Sequence, residues 1–168
     1  MKTLVIHPKD ISTDFLSIIY KDIDCTIIRN IDEIRFIENE INNHERIIML
    51  GHGSNDGLYG FGNFIIDSSY AKILKCKRCI FIWCNSDEFV RDNNLSGFYT
   101  GMIISEIDEA YLYSVSTNNK FIDKSNICFA ESIRQSIDSL DMLRNVKMLY
   151  RGQSSVIKFN RNNLFEKY

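Results

Sequence analysis

Short apolar runs alternate with helix-like segments along this chain, and that alternation constrains its fold more than any other feature. Residues 3–7, 46–50 and 79–83 are rich in β-branched or aromatic side chains, and each run is followed by a proline, a glycine or a polar turn. Such runs are typical of buried strands. Residues 33–42 instead carry isoleucines at spacings of three and four, as helices with one inward face do. The alternation predicts an α/β fold, a three-layer sandwich with a mostly parallel central sheet.

Weaker patterns predict the remaining elements. Ser12 or Thr13 is expected to cap a helix that carries Phe15, Ile18 and Ile19 on one face. The other expected elements are helices over residues 67–75, 99–109 and 128–137, and strands near residues 25–29, 146–150 and 155–159. Because the chain has neither an internal repeat nor a Pro/Gly/Ser-rich linker, residues 1–168 are expected to form a single domain.

Charge and cysteine content narrow the classes of partner. The 20 basic and 22 acidic residues leave no positive surplus to attract nucleic acid or anionic lipid, so we expect no nucleic-acid partner and no membrane partner. The first apolar run is too short for a signal peptide, and the five cysteines are an odd number. We therefore expect reduced thiols and a cytoplasmic location.

Three reactive side chains fall at the ends of predicted strands. His7 ends the first strand, His52 follows the third within Gly51-His52-Gly53, and Cys84 follows the fourth. In an open parallel sheet, catalytic and binding groups gather at the carboxyl ends of the strands. A cysteine nucleophile requires a nearby base, and an imidazole serves well because it accepts the thiol proton and later protonates the leaving group. The sequence therefore predicts His52 and Cys84 as a catalytic pair.

The flanks of this pair resemble a known family. The stretch Ile47-Ile48-Met49-Leu50-Gly51-His52-Gly53 is similar to the histidine motif of the caspase-like clan of cysteine peptidases, in which an apolar strand ends in His-Gly. Ile80-Phe81-Ile82-Trp83-Cys84 resembles the strand that ends in the clan's nucleophile, and Gly57-Leu58-Tyr59-Gly60 resembles the small hairpin between the two. The resemblance covers roughly residues 1–115 in the order of elements.

The resemblance implies a caspase-like fold and peptide-bond cleavage of a peptide or protein substrate, with no cofactor and no metal. It makes His52 the general base, Cys84 the nucleophile, and the Gly53 and Cys84 amides the oxyanion hole. His7, Asp56 and Arg151 are the candidate substrate-binding residues. It also implies activation by a partner or a small ligand, or a homodimer that pairs through a late edge strand within residues 146–159.

Two departures from caspases proper leave the substrate preference open. Caspases place Gln-Ala before the cysteine and separate it from the histidine by about 50 residues. Here Ile82-Trp83 precedes Cys84, and the interval from His52 is 32 residues. A second hypothesis therefore stands beside the peptidase: a non-catalytic module of the same fold that holds a small ligand or a protein partner at the rim of the sheet.

Two other motifs favour no separate function. Cys76-Lys77-Arg78-Cys79 has the spacing of zinc and redox pairs, but the pair falls where a helix runs into a strand rather than at a helix start. The glycine-rich residues 51–57 follow a strand, yet they lack the endings of phosphate-binding loops.

Overall fold

The structure is a computed structural model that describes all of residues 1–168, and it is built around two sheets. Its nine strands are β1 (Thr3–Ile6), β2 (Thr26–Ile28), β3 (Arg46–Leu50), β4 (His52–Ser54), β5 (Gly57–Gly60), β6 (Asn63–Ile66), β7 (Arg78–Ile82), β8 (Gly97–Thr100) and β9 (Leu164–Lys167). Six strands form the central sheet in the order β2-β1-β3-β7-β8-β9, and only β9 runs antiparallel to its neighbour. The predicted α/β class with a mostly parallel sheet is confirmed.

Helices cover both faces of the central sheet. They are α1 (Ile37–Asn43), α2 (Ala71–Leu74), α3 (Ser86–Asp92), α4 (Ile107–Leu112), α5 (Asn119–Ser136), α6 (Met142–Leu149) and α7 (Ser155–Asn162), with 3₁₀ turns at Asp14–Tyr20, Ile31–Phe36 and Ser68–Tyr70. Side chains of the central strands alternate between the two faces, because successive residues of a strand point to opposite sides. The structure therefore has one core beneath α5 and α6 and a second beneath α1, α2 and α3.

The alternation can be followed along β3 and β7. Ile48 and Ile80 belong to the core beneath α5, whereas Met49 and Phe81 belong to the core on the opposite face. All four side chains are essentially inaccessible to solvent. Burial of large aliphatic and aromatic side chains of this kind contributes about 1.5–3 kcal/mol each relative to exposure. These two strands therefore contribute strongly to the stability of the folded state.

A second, three-stranded sheet (β4-β5-β6) follows β3 and is anchored to the end of β7. The Trp83 indole Nε1 donates a hydrogen bond to the Ser54 carbonyl over 2.9 Å. The backbone of Gly53 lies so close to the Trp83 ring that a Cβ at this position would overlap it. A glycine is therefore required there, and the aromatic residue before Cys84 fixes the strand that begins with His52.

The carboxyl-terminal third differs from the sequence prediction. Residues 146–150 and 155–159, predicted as strands, lie in α6 and α7. The predicted helix over residues 99–109 divides into β8, an extended segment and the short α4. Residues 146–159 therefore contain no edge strand, contrary to the prediction; the edge strands of the central sheet are β2 and β9.

No helix of the chain combines the length and the apolar character that crossing a membrane requires.

Candidate functional site

The register of the central sheet brings His52 and Cys84 to the same place. Leu50 of β3 pairs with Ile82 of β7, and the Gly51 amide extends the ladder by donating to the Ile82 carbonyl over 3.1 Å. His52 and Cys84 each lie two positions beyond the Leu50–Ile82 pair. His52 begins β4 of the second sheet directly after this point, and Cys84 follows β7 at the same edge of the central sheet. Both line one cleft on the face that α5 covers.

The cleft that holds the two side chains is small and largely apolar, with a volume of about 30 Å³. Its polar lining beyond His52 and Cys84 comes from Thr13, Ser105 and Glu109, and its apolar walls are Phe15, Leu16, Ile82, Trp83, Ile103 and Phe129. An apolar surrounding strengthens electrostatic interactions between the groups it encloses, so proton transfers here depend strongly on which charges lie nearby.

The His52 ring is held by a loop that the sequence analysis did not connect with it. Its Nε2 lies 2.7 Å from the Ser12 hydroxyl and 3.7 Å from an Asp10 carboxylate oxygen. The Ser12 hydroxyl donates to the same Asp10 oxygen over 2.7 Å. A serine has one hydroxyl proton, so Ser12 must accept from His52, and Nε2 carries a proton. In the neutral ring, Nδ1 is then the basic nitrogen.

Cys84 is held in a tight turn between β7 and α3. The next residue, Asn85, has a positive φ of 64°, and its amide donates to the Gly101 carbonyl over 3.2 Å. The Thr100 hydroxyl donates to the Trp83 carbonyl over 2.8 Å, so that β8 fixes both sides of the turn. The Cys84 amide makes no hydrogen bond to a backbone carbonyl. This N–H is therefore available to an acceptor in the cleft.

The Cys84 thiol is protonated in this arrangement. Burial raises its pKa to about 11, and the nearby Glu109 carboxylate acts in the same direction. The thiol donates a weak hydrogen bond to the Ile103 carbonyl, with a sulfur–oxygen distance of 3.7 Å. A thiol, unlike a thiolate, is a poor nucleophile. The site as it stands is therefore a resting arrangement, with the two reactive groups each bonded to a different neighbour.

His7 lies beneath the site and does not reach the cleft. Its side chain is fully buried, and burial lowers its pKa to about 4. Its Nδ1 lies 3.0 Å from the Tyr20 hydroxyl and its Nε2 lies 3.4 Å from the Thr13 hydroxyl. The prediction that His7 binds substrate is corrected on this ground, because a ring enclosed by protein has no open face. It instead anchors the loop that carries Ser12.

The other two candidate substrate-binding residues lie outside the cleft. Asp56 is exposed in the two-residue turn between β4 and β5, where its amide donates to the Ser54 hydroxyl. Arg151 is exposed after α6, which is a helix and not the strand that the prediction placed before it. Neither side chain lines the cleft of His52 and Cys84.

Sequence reasoning missed the polar residues that complete the site. Asp10 and Ser12 follow β1, whose carboxyl end lies at the same edge as that of β3, so their position was a usable signal. Ser105 and Glu109 come from the segment after β8, which was predicted as continuous helix and so gave no indication of a strand end. No group of three or more His, Cys, Asp and Glu side chains is arranged to hold a metal ion, and Cys76 and Cys79 differ in burial, one exposed and one buried.

Comparison with known proteins adds no relative to this description: no protein-family model, no curated protein and no solved structure matches the chain. The geometry by itself defines an α/β protein with a histidine and a cysteine in one cleft at the carboxyl edge of a parallel sheet.

Proposed function

We propose that this chain is a cysteine endopeptidase of the caspase-like clan, in which Cys84 is the nucleophile and His52 the general base. The observation that carries the proposal is the shared cleft. His52 and Cys84, each two positions beyond the paired residues Leu50 and Ile82, both line it. The small sheet after β3 adds support, because the resemblance implies a hairpin at that point of the chain.

The chemistry follows from the proton positions. His52 Nδ1, the basic nitrogen of the neutral ring, takes the proton of the Cys84 thiol, and the thiolate attacks the carbonyl carbon of the scissile peptide bond. The Cys84 and Gly53 amides donate to the developing oxyanion. The carbon–nitrogen bond then breaks as the imidazolium protonates the leaving amine. Water, deprotonated by the same ring, hydrolyses the thioester to release the acid and restore the thiol.

The resting arrangement sets a condition on this cycle. The Cys84 thiol must leave the Ile103 carbonyl, 3.7 Å away, and approach the His52 ring before its proton can be transferred. A substrate carbonyl that binds the free Cys84 amide draws the turn toward this position. Imidazolium beside a thiolate lowers a cysteine pKa strongly, so substrate binding and nucleophile activation are the same event in this proposal.

A second function is favoured by one specific observation. Burial raises the pKa of Cys84 to about 11, as expected for a cysteine that serves as a small apolar side chain. A non-catalytic module of the same architecture would use the cleft to hold a ligand or a partner, and Cys84 would then contribute packing alone. The two functions differ in whether the reactivity of Cys84 depends on His52.

A pair of labels distinguishes the two functions. In a peptidyl vinyl sulfone the thiolate adds to the β-carbon and the α-carbon then takes up a proton, so His52 can act first as base and then as acid, whereas iodoacetamide requires only access and a thiolate and releases iodide. For the peptidase, peptide-directed labelling falls at least about 100-fold in His52→Ala, the usual scale of general-base loss, and iodoacetamide labelling of Cys84 changes little. Cys76→Ala, which removes an exposed thiol, is the matched control and should label normally. Equal peptide-directed labelling in the wild type and His52→Ala contradicts the peptidase and favours the binding module.

A further inference from the structure

The cleft of His52 and Cys84 is too small to hold a peptide. Its volume of about 30 Å³ is far below the roughly 300 Å³ at which ligand pockets usually begin, so only the reacting atoms of a substrate fit within it. The rest of a substrate must lie on the surfaces that border the cleft. The small sheet β4-β5-β6 forms the surface beside His52, because His52 is the first residue of β4.

One face of this small sheet is packed closely against the rest of the molecule. Leu58 is fully buried on that face, and a Cβ at Gly53, which pairs with Leu58, would overlap the Trp83 ring. A Cβ at Gly60 would lie 2.7 Å from a ring carbon of Pro8. Because successive residues of a strand point to opposite sides, the side chains that alternate with these positions point away from the molecule.

The outward face of the small sheet carries His52 and two aromatic side chains. Tyr59 lies directly opposite His52 in the β4–β5 pairing, and Phe64 lies opposite Tyr59 in the β5–β6 pairing. Residues opposite each other in an antiparallel pair extend on the same face. The Tyr59 and Phe64 rings meet edge to face, with centroids 5.7 Å apart and 78° between their planes. These two rings, called the aromatic row below, begin beside His52 and continue away from it across the sheet.

Both rings of the aromatic row are open to a ligand. Tyr59 is 44% exposed and Phe64 is 40% exposed, and the His52 side chain is exposed to a similar degree. Aromatic side chains bury a large apolar area on binding, and rings that a sheet already holds in place lose little conformational freedom when a ligand covers them. The row is therefore suited to an apolar side chain that lies beside His52.

The order of the strands indicates which part of a peptide reaches the row. Cys84 follows β7, which lies between β3 and β8, so His52 lies on one side of Cys84 and the segment after β8 on the other. In the proposed reaction His52 protonates the leaving amine, which must then lie on the His52 side. The acyl part lies toward Ile103 and Ser105 of the segment after β8, which line the cleft.

We propose that the aromatic row binds the side chain of the residue directly after the scissile bond, and that this residue is apolar, with phenylalanine preferred to alanine; this substrate class rests on the proposed peptidase function. The substrate side chain packs on the Tyr59 ring, and Phe64 supports that ring on the side remote from His52. A carboxylate side chain is disfavoured here, because the faces of aromatic rings repel negative charge.

Acyl transfer measures the preference for the leaving residue directly. An acyl-enzyme formed from a peptide ester is intercepted by an added amine: the amine nitrogen attacks the thioester carbonyl, the carbon–sulfur bond breaks, and His52 carries the amine proton to the Cys84 sulfur. Phenylalaninamide and alaninamide differ by one phenyl ring and are compared at equal concentrations of free amine. We expect phenylalaninamide to form the peptide bond at least about tenfold faster, the scale of burying part of one aromatic side chain.

Three variants assign this preference to the row. Tyr59→Ser should lower the ratio of the two transfer rates by about fivefold or more, and Phe64→Ser by about twofold or more, since each removes apolar contact area. Phe121→Ser is the matched control, because Phe121 is 48% exposed on α5, which covers the other face of the central sheet. It should leave the ratio unchanged. A ratio near one in the wild type, or a ratio unchanged in both row variants, overturns the proposal.

NMR titration of the Cys84→Ala protein separates this failure from failure of the peptidase. Phenylalaninamide should shift the backbone amide signals of residues 52–60 and 63–66 more than alaninamide does. If an acyl-enzyme forms but the two amines react equally, the peptidase stands and the role of the row is wrong. If phenylalaninamide shifts these signals and no acyl-enzyme forms, the row binds apolar side chains, but the peptidase and the assignment to the leaving residue are both wrong. Dimerisation that Tyr59→Ser abolishes would show that a second copy covers the row, which also overturns the proposal.

Discussion

The raised pKa of Cys84 gives a quantitative prediction about its reactivity. The structure sets this pKa at about 11 instead of the ordinary 9.0, a difference of two units caused mainly by burial. At any pH below 9, two pKa units correspond to about 100-fold less thiolate. Because iodoacetamide reacts with the thiolate, Cys84 in the folded protein should be alkylated at least about 100-fold more slowly at pH 7.5 than in urea-unfolded protein. The rate should go on rising past pH 9 and level off only near pH 11.

The measurement is a time course of alkylation at each cysteine, followed by digestion and mass spectrometry. Cys79 and Cys76 serve as internal references in the same sample, since Cys79 is fully buried with a pKa raised to about 12 and Cys76 is exposed. The expected order of rates is Cys76, then Cys84, then Cys79. Alkylation of Cys84 at pH 7.5 as fast as in the unfolded chain would refute the resting arrangement, because an accessible thiolate cannot coexist with this burial.

Three further predictions concern the residues around the pair. Gly53→Ala should lower the free energy of unfolding by about 1–3 kcal/mol, measured by urea denaturation, because the new Cβ overlaps the Trp83 ring; an unchanged midpoint contradicts the packing described. The pKa of His7 is lowered to about 4, so protonation favours unfolding and stability should fall by roughly 3 kcal/mol between pH 7 and pH 4. His7→Gln should remove that part of the acid sensitivity. An equally steep loss of stability between pH 7 and pH 4 in this variant would contradict the role given to His7. Ser12→Ala should slow vinyl sulfone labelling about tenfold, since Nε2 of His52 loses its acceptor, and Ser12→Thr should restore it; equal rates in all three proteins remove Ser12 from the site.

The amino-terminal half of the fold was accessible from sequence because its signals are local and unambiguous. Residues 46–50 and 79–83 are apolar runs of strand length bounded by turns, and the structure forms β3 and β7 there, to within one residue at each end. Parallel pairing of two such strands then places their carboxyl ends at one edge of the sheet. The neighbourhood of His52 and Cys84 follows from that geometry.

The carboxyl-terminal third was mispredicted because short apolar runs fit a strand and a buried helix turn equally well. Val146 lies in α6 and Tyr150 directly follows that helix; both are buried and lie four residues apart, so the four-residue spacing was the informative feature. Capping residues were a second neglected signal. Asp141 accepts from the Arg144 amide and Ser154 from the Ile157 amide at the starts of α6 and α7.

The supporting residues of the site were only partly predictable, for a different reason. Asp10 and Ser12 follow the first predicted strand, which indicates the correct edge of the sheet, but their hydrogen bonds to His52 join positions about 40 residues apart and no sequence pattern shows that contact. The sequence also could not show that His7 is buried, because a residue at a strand end can lie either at the rim of the sheet or in the core.

The acyl-enzyme is the most direct test of the central claim, that His52 and Cys84 act together on a peptide bond. The protein is mixed with a peptide ester, quenched in acid after milliseconds to seconds, and its intact mass is measured. The account predicts a mass increase equal to the acyl group, located on Cys84, absent from Cys84→Ala and formed at least about 100-fold more slowly in His52→Ala. Ester hydrolysis without a Cys84 adduct, or adduct formation at the same rate in His52→Ala, would contradict it.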